Sequence, residues 1–259
     1  VRLTVVDSLP TGYKMEYTFL EFQADSTIDS SLSNIQYRIV EKLGKKIVGT
    51  TIHFETDDFG AITKINNLGQ IKRQAKSLFN ESMKELMQLP EIATLKKDLK
   101  LDIKALIKEF DTDKLVDGYL EELKLIFLCH GNIYEIGQSH IHEDATATSY
   151  ENDTYSTVTL DPEDYTYNIT TDVINIIPFS ELKDIVGGLI DSLDSDMLTE
   201  LFNKEFETQV KENAIYESYF SSDFMAHGWP YKIITQTNVT IDGRGKSNQT
   251  YIYLDDINW

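Results

Sequence analysis

"FSSDFMAHGWPYKII", residues 220–234, reads as a strand, a break and a second strand. An aromatic closes a strand-like run, a polar break follows, and a second apolar run begins after Pro230. Proline lacks an amide donor and suits the first position of a strand. It also restricts Trp229 to extended backbone, while Gly228 supplies the unusual backbone of the turn. The stretch therefore reads as a hairpin corner, with Trp229 packing over the end of a sheet or rimming a ligand groove. "FETDDFGAITKI", residues 54–65, follows the same plan: an aromatic ending a strand, an Asp-containing break, a Gly, then a strand with Lys before Ile.

Working outward from the hairpins, period-two alternation recurs. Residues 2–6 read as a first strand. "GYKMEYTFLEFQ" (12–23) sets Tyr13, Met15, Tyr17 and Phe19 on one face. "NIQYRIVEKL" (34–43) and "KKIVGTTIHFETD" (45–57) follow, with Gly44 between them as the expected hairpin tip, and "AITKIN" (61–66) closes a meander. Further strands are predicted at 132–144, 154–161, 164–173, 214–220, 231–241 and 248–257, with "DGRGKS" (242–247) as a turn.

From Leu68 to about Leu128 the period changes. Ile71, Ala75, Leu78, Phe79 and Met83 recur at helical spacing, Pro90 interrupts, and Leu95, Leu99, Ile103 and Leu106 resume. Asp111-Thr112-Asp113 resembles an N-cap and Gly131 a stop. A second helical pattern covers 182–206, with Gly187-Gly188 as its expected kink or split. Strands, helices, strands, helix, strands make an α+β fold: a curved antiparallel sheet, open or half-barrel, with helices packed on its concave face. No stretch has the composition of a linker. One domain is therefore expected over 1–259: a meander at 1–66, a helical insert at 67–131, strands at 132–177, a helix at 178–213 and C-terminal strands at 214–259.

The order of elements and the His227–Pro230 hairpin resemble the periplasmic lipoprotein-carrier-like proteins of Gram-negative bacteria, and secreted or lipid-anchored proteins built on the same curved sheet. The resemblance implies a strongly curved sheet whose concave side is plugged by helices. This chain departs from it in the larger helical insert after the first meander. No residue roles transfer with the resemblance.

Composition narrows the function classes. The 259 residues carry 43 acidic and 24 basic side chains, a net charge of −19. Nucleic acid and anionic headgroups need basic patches, so no nucleic-acid partner is expected. With 41% hydrophobic residues the chain can bury a core. No apolar run reaches the roughly 20 residues of a membrane span. The chain opens at Val1 without an initiating Met. A removed secretory leader is therefore expected, and with it a periplasmic or cell-surface location. The single Cys129 lies in the apolar run "LKLIFLCHG" and reads as a buried small hydrophobe.

Residues that could carry chemistry are few. His140 and His142 are two apart on a strand and so share a face, where both could reach one metal ion or simply stand in water. "DTDKLVDG" (111–118) fails the calcium-loop pattern, since Leu115 and Val116 stand where an oxygen ligand and a glycine are required. No Walker loop, nucleophile elbow or HExxH is present, so no cofactor is expected. Tyrosine is in excess, at 14 residues. Tyr165 with Tyr167, and Tyr251 with Tyr253, are expected to share faces by alternation. With Trp229 they would line an apolar or carbohydrate-binding groove, or else pack across strands. The reading is a non-enzymatic protein that binds a lipid or other amphipathic ligand between sheet and helices. The alternatives are a surface module for a protein partner, and a metal-assisted hydrolase using His140 and His142.

Overall fold

A computed structural model describes residues 1–23, 41, 44–86, 88, 112–146, 150–191 and 196–255. The chain divides into two compact units, Val1–Asn132 and Ile133–Trp259. The fold is α+β, with two open antiparallel sheets of four and six strands.

The first unit is a meander in the order β1 (Arg2–Leu9), β2 (Gly12–Thr18), β3 (Thr51–Thr56) and β4 (Ile62–Ile65). Register places Met15 opposite Phe54 and Tyr17 opposite Ile52, and all four side chains are buried. Helix α1 (Leu68–Leu86) adds Ile71 and Ala75 to this core, and α2 (Thr112–Ile126) adds Val116, Leu120 and Leu123. These positions are three and four apart, so each helix turns one stripe inward. The Phe127 ring meets Phe54 edge-on at 5.3 Å. The Tyr17 hydroxyl donates to Glu122 Oε2 at 2.7 Å, tying sheet to helix. Burial, and then the carboxylate, push the Tyr17 phenol well above its ordinary pKa, so it stays a donor.

Two expectations change here. The strand expected over 45–57 begins only at Thr51. Residues 44–47 are helical, so Gly44 is not a hairpin tip. Glu41 and Lys45, four positions apart in sequence, pair at 2.6 Å, and Ile47 is buried. Lys46 reaches Glu81 and Glu85 of α1 at 3.3 Å each. Apart from Glu41, the strand expected over 34–43 lies outside the described residues. So does the helix expected over 91–110.

The second unit is a meander in the order β5 (Gly137–Glu143), β6 (Glu151–Leu160), β7 (Tyr167–Ile177), β8 (Ala214–Phe224), β9 (Pro230–Ile241) and β10 (Arg244–Tyr253). Helices α3 (Phe179–Asp191) and α4 (Asp196–Gln209) are inserted between β7 and β8. Helix α3 runs through Gly187-Gly188 without splitting. A Cβ at Gly187 would lie 3.3 Å from the Phe202 ring, so this glycine serves close helix packing. The turn expected over 242–247 contracts to Asp242-Gly243, and β10 starts at Arg244. Both turn residues have positive φ, 50° and 71°, which matches a two-residue type I′ hairpin.

The two hairpins that suggested the fold are built alike. Asp57 N–H donates to Ala61 O at 2.9 Å and Gly60 N–H to Asp57 O at 3.1 Å. Met225 N–H donates to Trp229 O at 3.0 Å and Gly228 N–H to Met225 O at 2.8 Å. Gly60 and Gly228 hold φ of 82° and 88°. The surroundings differ. A Cβ on Gly60 would lie 2.6 Å from the His130 ring, whereas one on Gly228 would meet nothing nearer than 3.9 Å. Gly228→Ala is therefore expected to cost only the left-handed backbone, about 1–2 kcal/mol. Gly60→Ala should cost clearly more, because the His130 ring must also move. Chemical unfolding of the two variants checks the order, and equal losses would contradict it.

Candidate functional site

In the six-stranded sheet, register fixes which side chains share a face. Cross-strand pairing runs His140–Tyr155–Asp172–Tyr219–Gln236–Gln249 across all six strands. The neighbouring row runs His142–Asp153–Ile174–Glu217–Asn238–Ser247. Tyr251 and Tyr253 continue the same face on β10. The opposite face buries Ile169, Ala214, Ser222, Phe224 and Ile233.

At one edge of the polar face, both histidines converge on one carboxylate. His140 Nε2 lies 2.7 Å from Asp153 Oδ1, and His142 Nδ1 lies 3.1 Å from the same oxygen. His142 Nε2 lies 3.3 Å from Asp144 Oδ1. Alternation therefore brings His140 and His142 together as expected. Their shared partner, Asp153, was not legible without the β5–β6 register. Among the described residues no group of three or more His, Cys, Asp or Glu side chains is arranged to hold a metal ion. The Asp153 and then Asp144 contacts push His142 above its ordinary pKa, and the His140 and then His142 contacts hold Asp153 below its own.

The aromatic candidates separate. Tyr251 and Tyr253 do share a face, their rings parallel within 3° and 6.4 Å apart. Tyr165 and Tyr167 do not share a face by alternation. Tyr165 precedes β7 with φ of 60°, in a turn closed by its N–H on Asp161 O. Tyr167 stacks on Phe224 at 4.6 Å, beside the half-buried Trp229 turn. Trp229 and Tyr167 thus sit at the hairpin end, and Tyr251 and Tyr253 on the polar face. Cys129 is buried, as its apolar run suggests.

Each face of this sheet carries a concavity. On the polar face a shallow groove of about 540 Å³ is lined by Tyr155, Asp172, Ile174, Glu217, Tyr219 and Gln236. On the other face, where Val210 follows α4, an open cleft of about 620 Å³ lies over β9 and β10. Val210, Val239 and Ile241 contribute apolar surface to it, and Arg244 and Lys246 contribute cations. The pairing puts Val239 opposite Lys246 and Ile241 opposite Arg244. Asp242 also lines the cleft, and its carboxylate accepts from the Lys211 and Glu212 N–H groups at 3.0–3.3 Å.

No family model matches the chain, and no curated protein or solved structure does either.

The histidine cluster has a signed pH dependence. The pKa of His142 is raised above 6.5. Its contribution to holding β5 on β6 is complete below that value and lost as pH rises through the raised pKa. The pKa of Asp153 is lowered below 3.8, so its contribution is present above that value and lost as pH falls through the lowered pKa. NMR titration should find His142 titrating above an ordinary histidine, and Asp153→Asn should bring it down. A His142 pKa at or below the ordinary value would contradict the geometry.

Proposed function

We propose that the protein is an exported, non-catalytic binder of an amphipathic anion, held in the cleft between the six-stranded sheet and the chain leaving α4. The supporting observation is the pairing of charge with apolar surface there. In a chain of net charge −19, Arg244 and Lys246 stand directly across from Ile241 and Val239. Neither cation has a carboxylate partner among the described residues. An apolar tail would cover Val210, Val239 and Ile241 and remove that surface from water. An acidic headgroup would meet the guanidinium and ammonium, with Thr237 and Asn248 beside them to hydrogen-bond it. The volume, about 620 Å³, falls within the range of small-molecule sites. The opening to solvent suits a ligand that is collected and delivered rather than sealed in.

The test is displacement of a fluorescent dansyl fatty acid by dodecanoate and by the neutral alcohol dodecanol. Dodecanoate should compete better than the alcohol. The Arg244→Ala/Lys246→Ala double variant should weaken it about tenfold or more, equivalent to roughly 1.4 kcal/mol. The alcohol should lose little, and added salt should erode the difference. No binding of the probe, or equal competition by acid and alcohol, would overturn the proposal.

A further inference from the structure

We infer that the opposite, polar face of the six-stranded sheet is a second binding site, for a neutral glycan chain laid across the strands. It rests on other residues than the amphiphile cleft and stands without that reading. The face has three properties that together favour a sugar.

The first is the placement of rings. Tyr155 and Tyr219 occupy the same cross-strand row on alternate strands, with Asp172 between them. Strands are spaced at about 4.8 Å, so the two tyrosines stand about 10 Å apart, the scale of two linked pyranose rings. The Tyr155 ring is parallel to His140 within 2° at 4.3 Å, which fixes its plane, and the residue remains 43% exposed. Tyrosine offers an apolar ring face and a hydroxyl to the same ligand.

The second is an ordered line of three amides that ends on one carboxylate. The Tyr251 hydroxyl donates to Gln249 Oε1 at 2.9 Å, and Gln249 Nε2 to Gln236 Oε1 at 2.7 Å. Gln236 Nε2 donates to Asn238 Oδ1 at 3.1 Å, and Asn238 Nδ2 to Glu217 Oε2 at 3.3 Å. Side chains already held by one another lose less freedom on binding. Each amide and carboxylate keeps further capacity for sugar hydroxyls.

The third is charge. The groove and the row beside it carry Asp153, Asp172 and Glu217, and the groove is lined by no lysine or arginine. Lys232, elsewhere on the face, lies 3.7 Å from Asp223. A nucleic acid or sulfated polysaccharide would be repelled. A purely apolar occupant would strip water from the Asp172 and Glu217 carboxylates that line the groove without replacing those hydrogen bonds. A hydroxyl-rich, uncharged chain satisfies both constraints.

Cellohexaose, mannohexaose and N-acetylchitohexaose should be titrated into the full chain by calorimetry, with heparin as the polyanion control. At least one hexasaccharide should bind, with a Kd between about 10 μM and 1 mM. Tyr155→Ala and Tyr219→Ala should each weaken it tenfold or more while the thermal unfolding midpoint is unchanged. Should Tyr219→Ala fail to fold, the exposed Glu217→Lys variant should weaken the hexasaccharide in the same way. Four results would overturn the inference. They are no hexasaccharide binding, binding that survives these substitutions, preferential heparin binding, and self-association abolished by Tyr155→Ala, which would assign the face to a second copy.

Discussion

The register of the six-stranded sheet is the constraint on which the rest of the second unit depends. From β5 to β10 each strand pairs with the next in sequence, and the side-chain period of two carries one set of residues to each face. A slip of one residue between β6 and β7 would send Tyr155 toward the opposite face from Tyr219, and Val158 away from Ile169. The β8–β9 and β9–β10 turns set the register of their strands: Gly228 closes the first and Asp242-Gly243 the second. Turn chemistry at these points therefore reaches both proposed sites. The first unit is anchored differently, by Tyr17 on Glu122 and Phe54 on Phe127, where helices rather than further strands complete the core.

The two faces of the six-stranded sheet differ in what they can hold. One combines β-branched surface with Arg244 and Lys246, which favours a tail joined to an acid. The other interleaves tyrosine, amide and carboxylate, which favours hydroxyls. Asp153 accepts from both histidines and so holds His140 and His142 as a strand-to-strand clamp between β5 and β6. Their proximity arises from strand alternation and the β5–β6 register.

Much of the fold was legible because its signals are local. Alternation marked most strands, three- and four-residue spacing marked α1, α3 and α4, and the two glycine hairpins announced antiparallel pairing. The failures share a cause. Residues 44–47 look strand-like alone; the structure pairs Lys45 with Glu41 four residues back, and Lys46 with Glu81 and Glu85 on α1, which alternation does not show. Counting by twos pairs Tyr165 with Tyr167, but a turn holding Tyr165 at φ 60° intervenes before β7 begins. Gly187 read as a breaker because its purpose, room for Phe202, depends on a second helix. The histidine pair was legible and its Asp153 partner was not, since cross-strand neighbours appear only once register is known. The cleft was hidden for the same reason: "DGRGKS" read as a turn, and only its contraction to two residues puts Arg244 and Lys246 in a strand facing Ile241 and Val239.

One face of the six-stranded sheet stands open to solvent with Tyr155, Tyr251 and Tyr253 presented, while Tyr17 and Phe54 in the first unit's core are closed. Hydroxyl-radical footprinting read residue by residue by mass spectrometry tests it most directly. Tyr155, Tyr251 and Tyr253, exposed by 43%, 52% and 57%, should be modified rapidly, while the fully buried Tyr17 should be protected. Protection of Tyr155 and Tyr251 in the free protein to the level of Tyr17 would contradict the account.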